Sequence, residues 1–80
     1  MVVAMNPRRG MVGITLDDGG HTVIELLTDW PLDIGDVLEW AHDYGLGLET
    51  YRNLSKGTQC EVFVQNHDVS TSLLPQQMLY

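Results

Sequence analysis

The residues with the chemistry to act on a substrate or hold a metal are aspartates, histidines and one cysteine. Asp17, Asp18, Asp29, Asp33, Asp36 and Asp43 could pair as acid and base, or bind a hard cation. Each falls in an expected turn or connection, where Asp is favoured because its side chain bonds to nearby backbone amides. No D-x-D-x-D-G calcium loop is present. His21, His42 and His67 are 21 and 25 residues apart. Zinc sites draw on ligands at short paired spacings, so these histidines and Cys60 would meet only through the tertiary fold. Cys60 alternates with Val62 and Val64 and reads as a small core residue. An inward thiol in an acidic protein has little to lower its pKa, which argues against a Cys–His nucleophile. Ser55, Ser70 and Ser72 lack a G-x-S-x-G elbow, and "DDGGH" and "YGLGLE" read as hairpin turns, not phosphate loops. The expectation is a non-enzymatic chain with no metal site and no cofactor.

Charge and apolar side chains point instead to binding. Eleven acids against four bases give a net charge of −7. Such a field repels phosphate backbones and anionic membranes, so neither nucleic acid nor a membrane is an expected partner. Arg8, Arg9, Arg52 and Lys56 carry all the fixed positive charge. In an up-and-down meander the start of the first strand and the turn between the fourth and fifth share one end. The four bases then converge as a candidate anion or nucleic-acid contact, weighed against solvated charges that serve solubility. Trp30 stands beside Pro31 in a connection. It is either a lid over one barrel end, against Leu32 or Ile34, or a partner-binding hot spot. The tail residues Leu73, Leu74, Met78 and Leu79 need cover. The expectation is that they lie across the open side of the sheet and shield Phe63. Otherwise Trp30, Phe63 and the tail form a partner-binding or dimerising surface.

These residues must be positioned by a short chain. Eighty residues make one domain, burying only about 60–65% of the surface exposed when unfolded. Hydrophobic residues at 44% and charged residues at 19% indicate a globular fold. Residues 1–9 read as a flexible arm ending near the Asn6-Pro7 breaker, and 10–80 as the barrel domain. Val12, Ile14 and Leu16 alternate with Met11, Gly13 and Thr15 before a Gly-rich turn, and period-two alternation resumes from Thr22. A three-residue loop, Asp18-Gly19-Gly20, pairs Ile14 with Ile24 and Val12 with Leu26, giving one continuous apolar face. It also puts Gly20 at the left-handed position. In "VLEWAH", Leu38 and Trp40 separate from Glu39. In "LGLETYRN", Leu46, Leu48 and Thr50 separate from Gly47, Glu49 and Tyr51. In "TQCEVFVQN", Cys60, Val62 and Val64 are expected inward, Glu61 and Gln65 outward. Residues 69–80 read as a sixth short strand or a helical turn capped by Ser72, with Pro75 in its first turn.

Five short strands with turns every eight to twelve residues predict a small all-β antiparallel barrel, since closing the sheet removes its exposed edges. "PLDIGDVLEW" resembles the hydrophobic-x-x-Gly-Asp-x-hydrophobic segment that enters a strand in Src-homology-3-like barrels and in several OB-folds. "RGMVGI" is similar to a first barrel strand, and the resemblance covers about half of the chain. It implies a Src-homology-3-like architecture before an OB-like one. Peptide-binding members of the first group present aromatic platforms to polyproline; here Trp30, Trp40, Tyr44 and Tyr51 are dispersed, without the paired tyrosines of the first strand. OB-folds that bind nucleic acid present basic and aromatic residues on one face, and this chain has four bases to offer. One cysteine excludes an intrachain disulfide, which with no run of about 20 apolar residues predicts a cytoplasmic protein. The expected function is an interaction module for a protein partner or for itself, as a monomer or weak homodimer.

Overall fold

A computed structural model of the chain describes residues 1–17, 19–41 and 45–79, the side chain of Leu79 excepted. Expectations placed on Asp18, His42, Asp43, Tyr44 and the Leu79 side chain lie outside the described residues. Six strands and one short helix follow in order: β1 (Val2–Asn6), β2 (Met11–Thr15), β3 (His21–Leu26), β4 (Leu38–Glu39), β5 (Gly47–Asn53), β6 (Thr58–Val69) and α1 (Leu74–Leu79). They form one curled antiparallel sheet in the order β1-β2-β3-β6-β5-β4. The all-β, barrel-like expectation therefore holds, with six strands in place of five. Among the described residues, no helix is long and apolar enough to cross a membrane.

The sixth strand comes from the residues read as an arm. Val2 is fully buried and pairs with Ile14, and Asn6 pairs with Met11. Pro7 then terminates the strand in the tight turn that leads to β2. The same valine joins the β1 edge to the turn before β4. Its N–H donates to the Asp36 carbonyl and its own carbonyl accepts from the Gly35 N–H, both at 2.8 Å. Two residues thus oppose one, which is the count of a β-bulge, and Gly35 has the positive φ (97°) of the glycine form. The Asp36 N–H closes the turn onto the Asp33 carbonyl at 3.0 Å. "DIGD" is therefore a turn with glycine at the position that demands positive φ.

The β2–β3 hairpin has the expected loop length in a shifted place. Leu16 donates to the Gly20 carbonyl at 2.8 Å, so the loop is residues 17–19 and Gly19 takes positive φ (88°). Val12 then faces Ile24 and Ile14 faces Thr22. The shift moves each partner by two residues, which preserves the face.

Both faces of β2 and β3 are covered. Val12, Ile14 and Ile24 join Val2, Trp30, Leu32, Leu38, Tyr51, Val62 and Val64 in the main core inside the curl. Met11 and Val23 point the other way and pack with Val69 and the α1 residues Leu74 and Met78. Gly13 permits this second layer: a Cβ there would sit 3.1 Å from Leu74 Cδ1. The tail is thus a helix with Pro75 in its first turn. It covers the outer side of β1–β3, not Phe63.

Candidate functional site

Asp36 is the most heavily bonded acid among the described residues. Its Oδ2 accepts from the Asp33 amide (2.9 Å), from Asn53 Nδ2 (2.8 Å) and from Lys56 Nζ. Lys56 also pairs with Asp33 at 2.9 Å. The Lys56 ammonium, then the Asp33 and Asn53 donors, hold the Asp36 carboxyl down at about 2. Asp36, then Asp33, raises the Lys56 ammonium above its ordinary value. A carboxylate so saturated with donors holds its charge rather than exchanging protons. The cluster fastens the turn before β4 to the turn between β5 and β6, a positioning role.

The histidines and Cys60 are dispersed. His21 Nδ1 is 3.1 Å from the Val69 carbonyl. His67 Nε2 donates to the Gly45 carbonyl (3.0 Å), and its Nδ1 lies 2.8 Å from Thr22 Oγ1. Cys60 contacts Thr28 Oγ1 at 3.4 Å. Among the described residues, no group of three or more His, Cys, Asp or Glu side chains could hold a metal. Trp40 stacks on Tyr51 with ring centroids 4.4 Å apart and planes at 7°, and on His67 at 6.5 Å. Burial, then the Glu49 charge, pushes the Tyr51 phenol well above its usual range. The Tyr51 hydroxyl is buried without a hydrogen-bond partner among the described residues.

The four bases separate into two kinds. Lys56 is held by two carboxylates, and Arg52 pairs with Glu39 at 3.5 Å. Arg8 and Arg9 stand exposed in the turn between β1 and β2, without an ion pair among the described residues. Trp30 is buried against Leu32 in the core, and its Nε1 donates to Thr58 Oγ1 at 3.0 Å. Ile34, the other expected contact, is exposed at the turn. Leu74 and Met78 are also buried, leaving Phe63 and Leu73 as the exposed members of the expected partner-binding set among the described side chains.

An exposed apolar surface on the sheet includes Leu46 and Leu48, which alternation alone does not assign to either face. Tyr51 pairs with Cys60 and Glu49 with Val62, and directly opposite residues share a face. The inward set of β6 therefore turns Tyr51 inward and Leu48 outward. Leu48 is 60% exposed, and Leu46, just before the strand, 61%. Leu48 lies opposite Phe63, itself 38% exposed, and Phe63 lies opposite Glu25. One cross-strand row on the outer face thus reads Glu25, Phe63, Leu48. The next carries Glu61 and Thr50, and a third Gln59, Arg52 and Glu39. This is the part of the outer face beyond the β1–β3 surface that α1 covers. Compared with protein-family models, curated proteins and solved structures, the chain matches none.

Proposed function

We propose that this chain is a non-enzymatic protein-interaction module whose partner docks on the outer face of β3, β6 and β5. The observation that carries the reading is the exposed Phe63–Leu48 pair, on a sheet whose other outer half is already covered by its own helix. Large side chains left in water together mark interaction surfaces more often than isolated ones do. Glu25 lies opposite Phe63, and Glu61 stands in the next row of the same face. A partner offering an apolar group to Phe63 and Leu48 and basic residues to these acids fits best. Two copies of a chain with net charge −7 would repel, so a different, basic partner is favoured over self-association.

We read the barrel as Src-homology-3-like before OB-like, on the glycine turn at residues 33–36 that leads into β4. One cysteine fits a reducing, cytoplasmic setting. A nucleic-acid contact through the basic end draws less support, because Arg52 and Lys56 are engaged with Glu39, Asp33 and Asp36.

A photo-crosslinking amino acid placed at Leu48, with a second variant at exposed Thr71 as control, tests the reading in the native cell. Adducts to a basic protein at position 48 and not at 71 are expected. Equal yields at both positions, or adducts only to a second copy of this chain, would refute it.

A further inference from the structure

A concave surface lies at the end of the sheet where β2 begins and β3 ends. It is a groove of about 530 Å³ between the β1–β2 turn and the segment after β3. This lies within the roughly 300–1,000 Å³ of ordinary ligand sites. Trp30 and Leu32 contribute buried apolar surface, and Pro7, Leu26 and Pro31 line it further. The surface is preformed: Thr58 holds the Trp30 indole, and the Leu26 N–H donates to the Gly10 carbonyl at 2.7 Å. Pro7 and Gly10 both line the groove, so Arg8 and Arg9 between them stand on the turn that borders it. The turn is closed by the Arg9 N–H onto the Asn6 carbonyl at 3.1 Å.

We propose that this groove binds an acidic peptide segment, seating an apolar side chain over Trp30 and pairing neighbouring carboxylates with Arg8 and Arg9. Local charge complementarity selects the occupant, acting at contact range where salt has screened the repulsion from the net −7 of the whole chain. The chain's other fixed cations are held by its own acids, while these two guanidiniums are exposed and without ion pairs among the described residues. They outnumber Asp29, the one acid lining the groove among the described residues. A guanidinium fork matches a carboxylate in two-pronged geometry, and Trp with Arg is the pairing that anchors many protein interfaces. The proposal is independent of the outer-face reading, since Leu48 and Phe63 take no part in the groove.

The test is an amide chemical-shift titration of the full chain with a short capped peptide alternating glutamate with leucine. Saturable shifts are expected at residues 8–10 and 26–32, and none with the same peptide carrying lysine for glutamate. The double variant Arg8→Glu, Arg9→Glu changes only exposed side chains and should weaken binding about tenfold or more. Asp29→Asn should tighten it, which keeps the proposal testable should the double variant misfold. Equal binding by the double variant, weaker binding by Asp29→Asn, shifts confined to the Leu48–Phe63 face, or binding of decanoate but not of the peptide would each overturn it.

Discussion

Tyr51→Phe should stabilise this protein, although it removes a polar atom from a central strand. The Tyr51 side chain is 0% exposed, and its ring lies flat on Trp40 at 4.4 Å. The hydroxyl has no partner among the described residues. Burying a hydroxyl without a hydrogen bond costs about 1–3 kcal/mol. Phenylalanine keeps the ring and the stack and leaves only a small void where the oxygen was. A net gain of about 1–2 kcal/mol follows, or roughly 5–10 °C in Tm for a domain of this size. Urea and thermal melts at pH 7 measure it. A second signature lies at alkaline pH. Burial raises the Tyr51 phenol in the folded state, so above about pH 10 the unfolded chain releases a proton that the folded chain retains. Stability then falls as pH rises, by up to about 1.4 kcal/mol per pH unit from this group. The Phe variant loses that component, while Lys56, whose ammonium is also raised, contributes equally to both proteins. A Phe variant less stable by more than about 0.5 kcal/mol at pH 7, or one with an unchanged slope above pH 10, would refute the account.

Asp36 contributes to the loss of stability in acid. Its carboxyl titrates near 2 when folded against an ordinary 3.8, so its contribution is present above pH 4 and is lost as pH falls towards 2. Urea midpoints followed through that window should drop in the wild type, with this component absent from Asp36→Asn. Gly35→Ala forces a side chain into positive φ at the turn that joins β1 to the segment before β4, and should cost about 1–2 kcal/mol by denaturant melt. Leu48→Gln should change stability by less than about 0.5 kcal/mol, whereas Ile24→Ala, in the core, should cost about 2–5 kcal/mol. A large loss from Leu48→Gln in the same melts would mean that the outer face supports the fold rather than a partner.

Local pattern and tertiary pairing can be separated residue by residue. The glycine turns were legible because positive φ leaves few alternatives to glycine, and Gly35 fills that role. The hairpin loop was legible in length but not in place, since Gly19 and Gly20 can each take the left-handed position and the choice leaves the apolar face unchanged. Val2–Asn6 does not show its strand character locally, because five residues are too few for a reliable period before Pro7. Its strand character rests on Met11–Ile14 lying beside it. The binding surfaces were half legible. Phe63 stood out as an aromatic on the polar side of β6, whereas nothing in the sequence set Arg8 and Arg9 apart from Arg52 and Lys56. Leu48 carried no such mark, since alternation sorts a strand into two sets without saying which meets the core.

Local pattern suffices for an all-β chain with strong acidic bias, for its glycine turns in kind if not always in place, and for the inward set Cys60, Val62 and Val64. These follow from rules that act over a few residues: period two, glycine dihedrals and net charge. The tertiary structure turns Tyr51 and Asn53 of β5 inward and Leu48 out, because register against β6 imposes that choice. It alone seated Leu74 and Met78 on β1–β3, where Gly13 leaves room, and so left Phe63 in water. It alone separated the bases, engaging Lys56 and Arg52 with nearby carboxylates and leaving Arg8 and Arg9 beside the groove. Which charges remain unpaired is settled by distances across strands that are remote in sequence, and local pattern holds no record of them.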